Sequence, residues 1–226
     1  MDQYYLFLVI PACLIALWAQ VKVNSTFNKY NAVHNARGYT GAMVARRILD
    51  QNGLQNVRIE RVRGHLSDHF DPRSNVVRLS DSTYDSTSVG AIGVAAHECG
   101  HAVQYAVHYF PMKLRSAVIP VSNIGSNLGI PLAIIGLIMN SDILFNVGIL
   151  LFLAVVVLQL ITLPVEFNAS RRAIQTLDSE MILDSGELTG ARRVLTAAAL
   201  TYVAALIGAG ANLLRLILLR NRNRNG

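Results

Sequence analysis

Apolar residues concentrate in four stretches of the chain, at residues 4–21, 116–139, 143–165 and 196–219. Each is close to the ~20 residues that an α-helix needs to cross a hydrocarbon core of about 30 Å. The third stretch is nearly free of polar side chains and is the clearest membrane helix. The first half of the second stretch holds several serines and asparagines, so we expect it to face protein or a cavity.

The first and last of these stretches allow more than one interpretation. The first carries no basic residue ahead of it, which distinguishes it from a secretory signal and predicts an uncleaved membrane anchor. The fourth contains Gly208 and Gly210 among alanines, a composition that suits close packing against a neighbouring helix. A buried or interfacial helix is the alternative for the fourth stretch.

Shorter periodic patterns lie between the first and second apolar stretches. Residues 40–53 predict a helix with a threonine cap at its start and a glycine at its end. Residues 57–62 and 75–80 alternate apolar and polar side chains, which is typical of half-buried strands. Residues 64–73 are rich in turn formers, so we expect a small antiparallel sheet. Its edge either binds an extended peptide or is purely structural.

Composition and charge narrow the class of protein. The chain has 226 residues, of which 52% are hydrophobic and 15% charged, too apolar for an ordinary soluble domain. Its net charge of +6 would suit nucleic acid, yet the sequence has no basic stripe with interleaved aromatic residues. We therefore predict membrane lipid, and no nucleic acid, as a partner, and attribute the charge to membrane orientation.

The distribution of charge predicts that orientation. Residues 22–115 hold 12 Lys and Arg against 7 Asp and Glu, whereas the turn at 140–143 carries only Asp142. The positive-inside rule then places residues 22–115 and 166–195 in the cytoplasm, with the amino terminus and the turn outside. The basic tail at 220–224 conflicts with this, because four crossings put it outside. The sequence leaves the side of the carboxyl terminus open.

The strongest chemical pattern is His-Glu-Cys-Gly-His at residues 97–101, which follows an apolar, proline-free run typical of a helix. On a helix, His97 and His101 share one face and can bind one metal ion, with Glu98 beside them as a general base. Two histidines and a glutamate on a solvated helix face are the alternative. The apolar residues up to Ala96 disfavour it, because polar groups in a buried segment need partners.

A catalytic zinc ion has three protein ligands and one open position, so a third ligand must come from elsewhere. Glu166 is the first acid after the third apolar stretch, and a hairpin of the second and third stretches returns it to the side of the histidines. A solvated carboxylate at a membrane boundary is the alternative for Glu166. Weaker candidates follow in a predicted loop: Asp178, Glu180, Asp184 and Glu187.

Four further residues lie near the predicted site in sequence or in the expected fold. Arg171 and Arg172 either stabilise an oxyanion or lie at the membrane interface. His108 lies two helical turns past His101, where it could support the site, although a surface or core histidine is the simpler interpretation. His69 lies in the loop between the predicted strands and could face the cleft without being a ligand.

With these residues assembled, the chain resembles the bacterial neutral zinc metallopeptidase family of YugP-like membrane proteins. The resemblance runs through residues 40–53, 64–73 (with Asp-His-Phe-Asp-Pro-Arg at 68–73), 95–104 and 163–173. It implies a single membrane-embedded metallopeptidase domain over residues 1–226, mainly α-helical with a zincin-like (gluzincin) cytoplasmic core. More distantly, the chain is similar to HtpX-like and CaaX-type membrane proteases, in which a Glu on a later helix is the third ligand.

One position departs from the pattern of these relatives. An acid usually follows the ligand Glu shortly afterwards, whereas this chain has Asn168 and Ser170. Both stay candidates to support the histidines, through weaker hydrogen bonds than a carboxylate makes.

The sequence thus predicts an integral membrane zinc-dependent endopeptidase that hydrolyses peptide bonds with a zinc-activated water. Zn²⁺ is expected on His97, His101 and Glu166, with Glu98 as the general base. Polypeptides near the cytoplasmic membrane face are the predicted substrates. A non-hydrolytic zinc-binding membrane scaffold or chaperone is the alternative, and the sequence does not indicate an oligomeric state.

Overall fold

The computed structural model describes residues 2–224 and is mainly helical, with one small sheet. A π-helical turn at Tyr5–Val9 leads into the first α-helix, and a second π-helical turn at Gly125–Gly129 separates the fourth α-helix from the fifth. In chain order the elements are α1 (Ile10–Asn31), α2 (Gly41–Gln51), β1 (Arg58–Val62), β2 (His69–Asp71), β3 (Val76–Ser80), α3 (Val89–Ala106), α4 (Phe110–Ile124), α5 (Ile130–Ile138), α6 (Asp142–Ser179) and α7 (Ser185–Arg224).

Four helical stretches of the described chain are long and apolar enough to cross a membrane. They are Tyr5–Asn31, Phe110–Ile138, Asp142–Ser179 and Ser185–Asn223. Each covers all or nearly all of one of the four apolar stretches of the sequence, so the prediction of four apolar helices is confirmed. The helices α6 and α7 are much longer than the ~20 residues that a crossing needs, and both continue into polar sequence.

The chain divides into two compact units, and the first consists of helices alone. This helical unit comprises the residues up to 20, residues 110–164 and the residues from 200 onward. Its backbones approach closely at Gly125, where an added Cβ would clash with the Leu151 carbonyl oxygen. Gly208 and Gly210 have open space around them, so the prediction of close packing at these two glycines is wrong.

Polar residues in the first half of the second apolar stretch behave in two ways. Ser122 is buried and donates a hydrogen bond to the Ala154 carbonyl at 2.7 Å, as expected for a face that packs on protein. Ser126 and Asn127 are exposed and donate to the Asn123 carbonyl of their own helix. The expectation that this half faces protein or a cavity is met at Ser122, whereas the exposed residues satisfy their polar groups within their own helix.

Ion pairs in the helical unit hold the end of α7 beside two other segments. The Arg215 guanidinium lies 2.6 Å from the Asp2 carboxylate, and that of Arg220 lies 2.8 Å from Asp142. The carboxyl-terminal end of α7 therefore lies at the same end of this unit as the amino terminus and the start of α6. Arg220 at the start of the basic tail, and Arg215 before it, are thus paired with acids of the same unit.

The second unit, the sheet unit, comprises residues 21–109 and 165–199. Its helix α2 begins as predicted, since the Thr40 hydroxyl accepts a hydrogen bond from the Met43 N–H at 3.2 Å. Gly53 follows the helix with a φ of +72°, a left-handed conformation that favours glycine. The core of this unit joins α2, through Ile48 and Leu49, to the apolar residues of α3.

The sheet differs from the predicted one in direction and in strand count. Its order is β1-β3-β2, with β1 parallel to β3 and β2 antiparallel to β3. The two long strands were predicted correctly, but their antiparallel pairing was wrong. The reason lies in the segment between them: His69–Asp71 forms a strand of its own and makes the hairpin with β3. Since β2 takes one side of β3, the strand β1 pairs on the other.

Candidate metal centre

The helix α3 carries the His-Glu-Cys-Gly-His pattern, as the sequence predicted. Ser88 caps its start by accepting a hydrogen bond from the Ala91 N–H at 3.1 Å. His97 and His101 lie one turn apart on one face, with ring centroids 4.7 Å apart and rings nearly perpendicular. Most of the residues of α3 are buried, so the two imidazoles are presented by a rigid element in the interior of the sheet unit.

A glycine allows the third candidate ligand to come close. An added Cβ at Gly100 would lie 2.8 Å from the Ala169 carbonyl oxygen on α6, closer than nonbonded atoms approach. The backbones of α3 and α6 therefore pack directly at this point. That contact places Glu166, which lies one turn before Ala169, opposite the two histidines.

The structure brings the three predicted metal donors together. The Oε2 atom of Glu166 lies 3.2 Å from Nε2 of His97 and 3.5 Å from Nε2 of His101. The candidate ligand atoms of these residues all lie within 4.8 Å of one another. Glu166 is only 2% exposed and His101 8%, so the carboxylate and the imidazoles face each other away from solvent.

These distances suit a zinc ion. Metal–ligand bonds of about 2.0–2.2 Å at tetrahedral angles separate neighbouring donor atoms by about 3.4 Å. The two Nε2–Oε2 distances of 3.2 and 3.5 Å lie close to that value. Two imidazoles and one carboxylate are also a donor set that zinc takes in hydrolytic enzymes. The residues present therefore fit the metal.

The remaining nitrogen of each imidazole has a hydrogen-bond partner. Nδ1 of His97 lies 3.1 Å from the Ser170 hydroxyl, and Nδ1 of His101 lies 3.0 Å from Oε1 of Gln104. Partners of this kind fix the orientation and the tautomer of a histidine ligand. In both residues the partner holds Nδ1, which leaves Nε2 to face Glu166.

Glu98 lies beside the histidines and contacts the sheet. Its Oε2 atom accepts a hydrogen bond from the backbone N–H of Phe70 at 3.0 Å. Phe70 is the middle residue of β2, which is an outer strand of the sheet. The edge of β2 therefore meets the helix α3 at the predicted general base.

The electrostatic environment of His101 has opposing contributions. Burial lowers the pKa of its imidazole, but the hydrogen bond that the ring donates to Glu166 and the charges of Glu98 and Glu166 outweigh burial, so the pKa is raised. The same negative charge that stabilises a protonated imidazole would stabilise a metal cation bound to the neutral imidazole.

The predicted supporting residues on α6 differ in what they contact. Ser170 contacts His97, as described, whereas Asn168 accepts from Gln104 and not from an imidazole. Arg172 donates from Nε to Asn168 at 2.9 Å. Arg171 is exposed.

Two predicted histidines lie outside the cluster of donors. His69 is exposed, and its Nδ1 pairs with the Ser67 carbonyl at 2.9 Å. The helix α3 ends at Ala106, and His108 follows it, exposed, with a φ of +55°. The expectation that His108 lies two helical turns beyond His101 is therefore wrong, because the helix ends before it.

Three of the four weaker carboxylate candidates have structural contacts instead, and the fourth, Asp178, is exposed. Asp184 and Glu187 bond each other's backbone N–H groups at 2.7 and 3.0 Å, a capping box at the start of α7. Glu180 lies 3.5 Å from the Arg47 guanidinium. Cys99 of the motif points away from the imidazoles into the core, where burial raises the pKa of its thiol.

Sequence reasoning missed one residue of the centre, Gln104. It lies one helical turn after His101 in the motif helix, so the i, i+3 spacing was a usable signal. A glutamine is common on helices, and this spacing alone did not mark it as a partner of the histidine.

Comparison with known proteins shows which family the chain belongs to. Residues 5–221 match the family model described as "Putative neutral zinc metallopeptidase". The chain is 48% identical over 223 residues to "Putative membrane protease YugP" of Bacillus subtilis (strain 168), covering 98% of this chain and 99% of that protein. No solved structure matches the chain. The near-complete coverage in both comparisons shows that the chain belongs to the neutral zinc metallopeptidase family.

Proposed function

We propose that the protein is an integral membrane zinc-dependent endopeptidase. The observation that carries this proposal is the convergence of two imidazoles and one buried carboxylate, with a second carboxylate beside them on α3. A structural zinc site is normally closed by a fourth protein ligand, whereas a catalytic site keeps a position open. The described residues offer three donors within 4.8 Å, as a catalytic site requires.

The three donors would hold the metal through Nε2 of His97, Nε2 of His101 and a carboxylate oxygen of Glu166. A zinc ion bound there supplies Lewis-acid polarisation of the scissile carbonyl and of an attacking water. The buried position of Glu166 would keep its negative charge close to a bound ion and away from solvent screening.

Glu98 would handle the proton. Its carboxylate takes a proton from the attacking water and passes it to the leaving amine. Only 9% of Glu98 is exposed, and its Oε2 atom is oriented by the N–H of Phe70, so the side chain is held in one place. A held carboxylate loses less entropy on reaching the transition state than a mobile one does.

The outer edge of β2 would align the substrate. An extended polypeptide can add to a free strand edge through its own backbone groups. The N–H of Phe70, which now donates to Glu98, places that edge next to the proposed base. Because that contact occupies the Phe70 N–H, peptide binding at the rest of this edge is the proposal, and a purely structural role stays its alternative.

The membrane setting follows from the helices and the charge. Four helical stretches are apolar enough to cross a membrane. The excess of Lys and Arg in residues 22–115 favours a cytoplasmic position for the metal centre, and polypeptides near that membrane face are the proposed substrates.

Cleavage of casein by the zinc-loaded protein in detergent tests the proposal. Glu98→Gln keeps an oxygen that accepts from Phe70 but removes the base, so we expect the rate to fall about 10²–10⁴-fold with zinc still bound. Asp178→Asn makes the same chemical change at an exposed carboxylate and should leave the rate unchanged. Zinc binding without cleavage of casein or of a peptide library would instead favour a zinc-binding scaffold.

A further inference from the structure

Gln104 is a fully buried polar side chain at the centre of the sheet unit. It is 0% exposed and lies on α3, one turn after His101. A primary amide carries two donor N–H groups and one acceptor oxygen, and leaving any of them unpaired in the interior is costly. Its contacts therefore fix its orientation.

The two donor groups of the amide face α6. Nε2 of Gln104 donates to the Val165 carbonyl at 2.8 Å and to Oδ1 of Asn168 at 3.0 Å. A backbone carbonyl can only accept a hydrogen bond, so the NH₂ group must lie on this side. The Asn168 oxygen is itself held by the Nε–H of Arg172 at 2.9 Å, which makes it an acceptor as well.

The oxygen of the amide consequently faces His101. Oε1 of Gln104 lies 3.0 Å from Nδ1 of the imidazole, and an oxygen there can only accept. The proton of a neutral His101 must then be on Nδ1, which leaves the lone pair on Nε2. That lone pair points to Glu166, whose Oε2 atom is 3.5 Å away.

The same amide also bridges the two helices that carry the ligands. Val165 and Asn168 flank Glu166 on α6, and His101 and Gln104 share a face of α3. One side chain thus fixes both the tautomer of one ligand and the position of the backbone that carries another. The Ser170 hydroxyl lies 3.1 Å from Nδ1 of His97, but a hydroxyl can rotate and serve as donor or acceptor, so it does not fix the tautomer in the same way.

We propose that Gln104 is a positioning residue that prepares His101 and Glu166 for a metal ion. The neutral amide takes the role that a carboxylate beside a histidine ligand commonly has, and it adds a tie between the two helices. This inference rests on the proposed function in one respect, namely that the centre binds zinc.

Zinc affinity of the detergent-solubilised protein, measured by competition with a chromophoric chelator, tests the inference. Gln104→Met keeps the side-chain volume but removes both donors and the acceptor, so we expect zinc to bind about 10–100-fold more weakly. The absorption bands of the Co²⁺-loaded variant should shift, because the imidazole of His101 is free to turn. Ser170→Ala should weaken zinc binding less than Gln104→Met does.

A matched control separates positioning from general stability. Asn35 is a buried amide of the same unit that bonds Tyr39 and Thr87, away from the donors. Asn35→Leu should lower the melting temperature without changing zinc affinity or the Co²⁺ spectrum. An equal loss of affinity in Asn35→Leu and Gln104→Met would overturn the inference, and so would parent-like affinity in Gln104→Met.

If Gln104→Met does not fold, a milder variant can test the same inference. Asn168→Ala removes one of the two acceptors that orient the amide, and we expect a few-fold weaker zinc binding with a shifted Co²⁺ spectrum. Unchanged affinity and spectrum in that variant would count against the inference. Failure of the parent protein itself to bind zinc would instead overturn the proposed function, so the two failures are distinguishable.

Discussion

The two compact units place their charged side chains in opposite ways. In the described part of the sheet unit, the buried residues with carboxylate or imidazole groups are Glu98, His101 and Glu166, which converge with His97 at one point. The polar residues buried in the described part of the helical unit are hydroxyl-bearing, Ser122 and Thr162. Its acids and arginines pair near helix ends instead, as Asp2 does with Arg215.

This difference distinguishes two roles of charged side chains in an apolar protein, a buried cluster and ion pairs near helix ends. Burying ionisable groups together costs free energy, so such a cluster persists where it has a chemical role. Opposite charges that pair near helix ends leave no charge unpaired, and such pairs contribute little to stability. The first pattern identifies the candidate metal centre, and the second describes how the helices are arranged within their own unit.

The largest predicted effect is on zinc affinity, and it should differ between two variants that each lose one carboxylate, one in each unit. Glu166→Ala takes away one of three metal donors, so we expect zinc affinity to fall by more than about 100-fold, beyond the effect of losing a supporting partner. Asp142→Ala removes an acid that pairs with Arg220 and should leave zinc affinity unchanged. Chelator competition on both variants measures the difference. Equal affinities would mean that the buried cluster is not the metal site.

A smaller effect is expected from replacing a glycine with alanine, and its sign should differ between Gly100 and Gly208. Gly100→Ala pushes a methyl group against the Ala169 carbonyl oxygen, so the helices must separate. We expect a loss of about 1–3 kcal/mol in the free energy of unfolding, with weaker zinc binding. Gly208→Ala meets open space on α7 and should stabilise the protein by about 0.5–1 kcal/mol through helix propensity.

Thermal unfolding of the two glycine variants, with zinc affinity measured in parallel, checks this pair. A neutral Gly100→Ala would show that α3 and α6 can shift apart without loss. In that case the close backbone contact would not be what positions Glu166.

The same glycines show where sequence reasoning succeeds and where it stops. Hydrophobic length predicted the four apolar helices, because a crossing needs a run of apolar residues that is visible without any partner. Gly208 and Gly210 were expected to mediate close packing, but Gly125 does so. Which face of a helix meets a neighbour depends on tertiary structure, and composition alone does not encode it.

The candidate site and the sheet show the same difference between what local sequence determines and what depends on tertiary structure. The helical spacing of His97 and His101 is local, so the sequence was sufficient to place both on one face. Strand direction is not local: the alternation in β1 and β3 is the same for parallel and antiparallel pairing. The three-residue strand β2 is too short for periodicity to reveal, although it supplies the N–H that contacts Glu98.

The smallest predicted effect concerns the ion pair of the helical unit. Asp2→Asn leaves Arg215 without its carboxylate partner, and we expect a loss of about 0.5–1 kcal/mol in the free energy of unfolding, as for a partly exposed pair. Zinc affinity and peptidase activity should not change. Thermal unfolding in detergent at several pH values is the measurement.

The sign of the pH dependence follows from the direction of the shift. The hydrogen bond from Arg215 holds the pKa of Asp2 below its usual value, although burial opposes this. A depressed pKa stabilises the folded state above the unfolded pKa of about 3.9, and that stabilisation is lost as the pH falls through the folded value. The parent and Asp2→Asn should therefore differ at pH 7 and converge in acid. A difference that persisted in acid would mean that Asp2 acts through packing, and charge pairing would no longer distinguish the helical unit from the sheet unit.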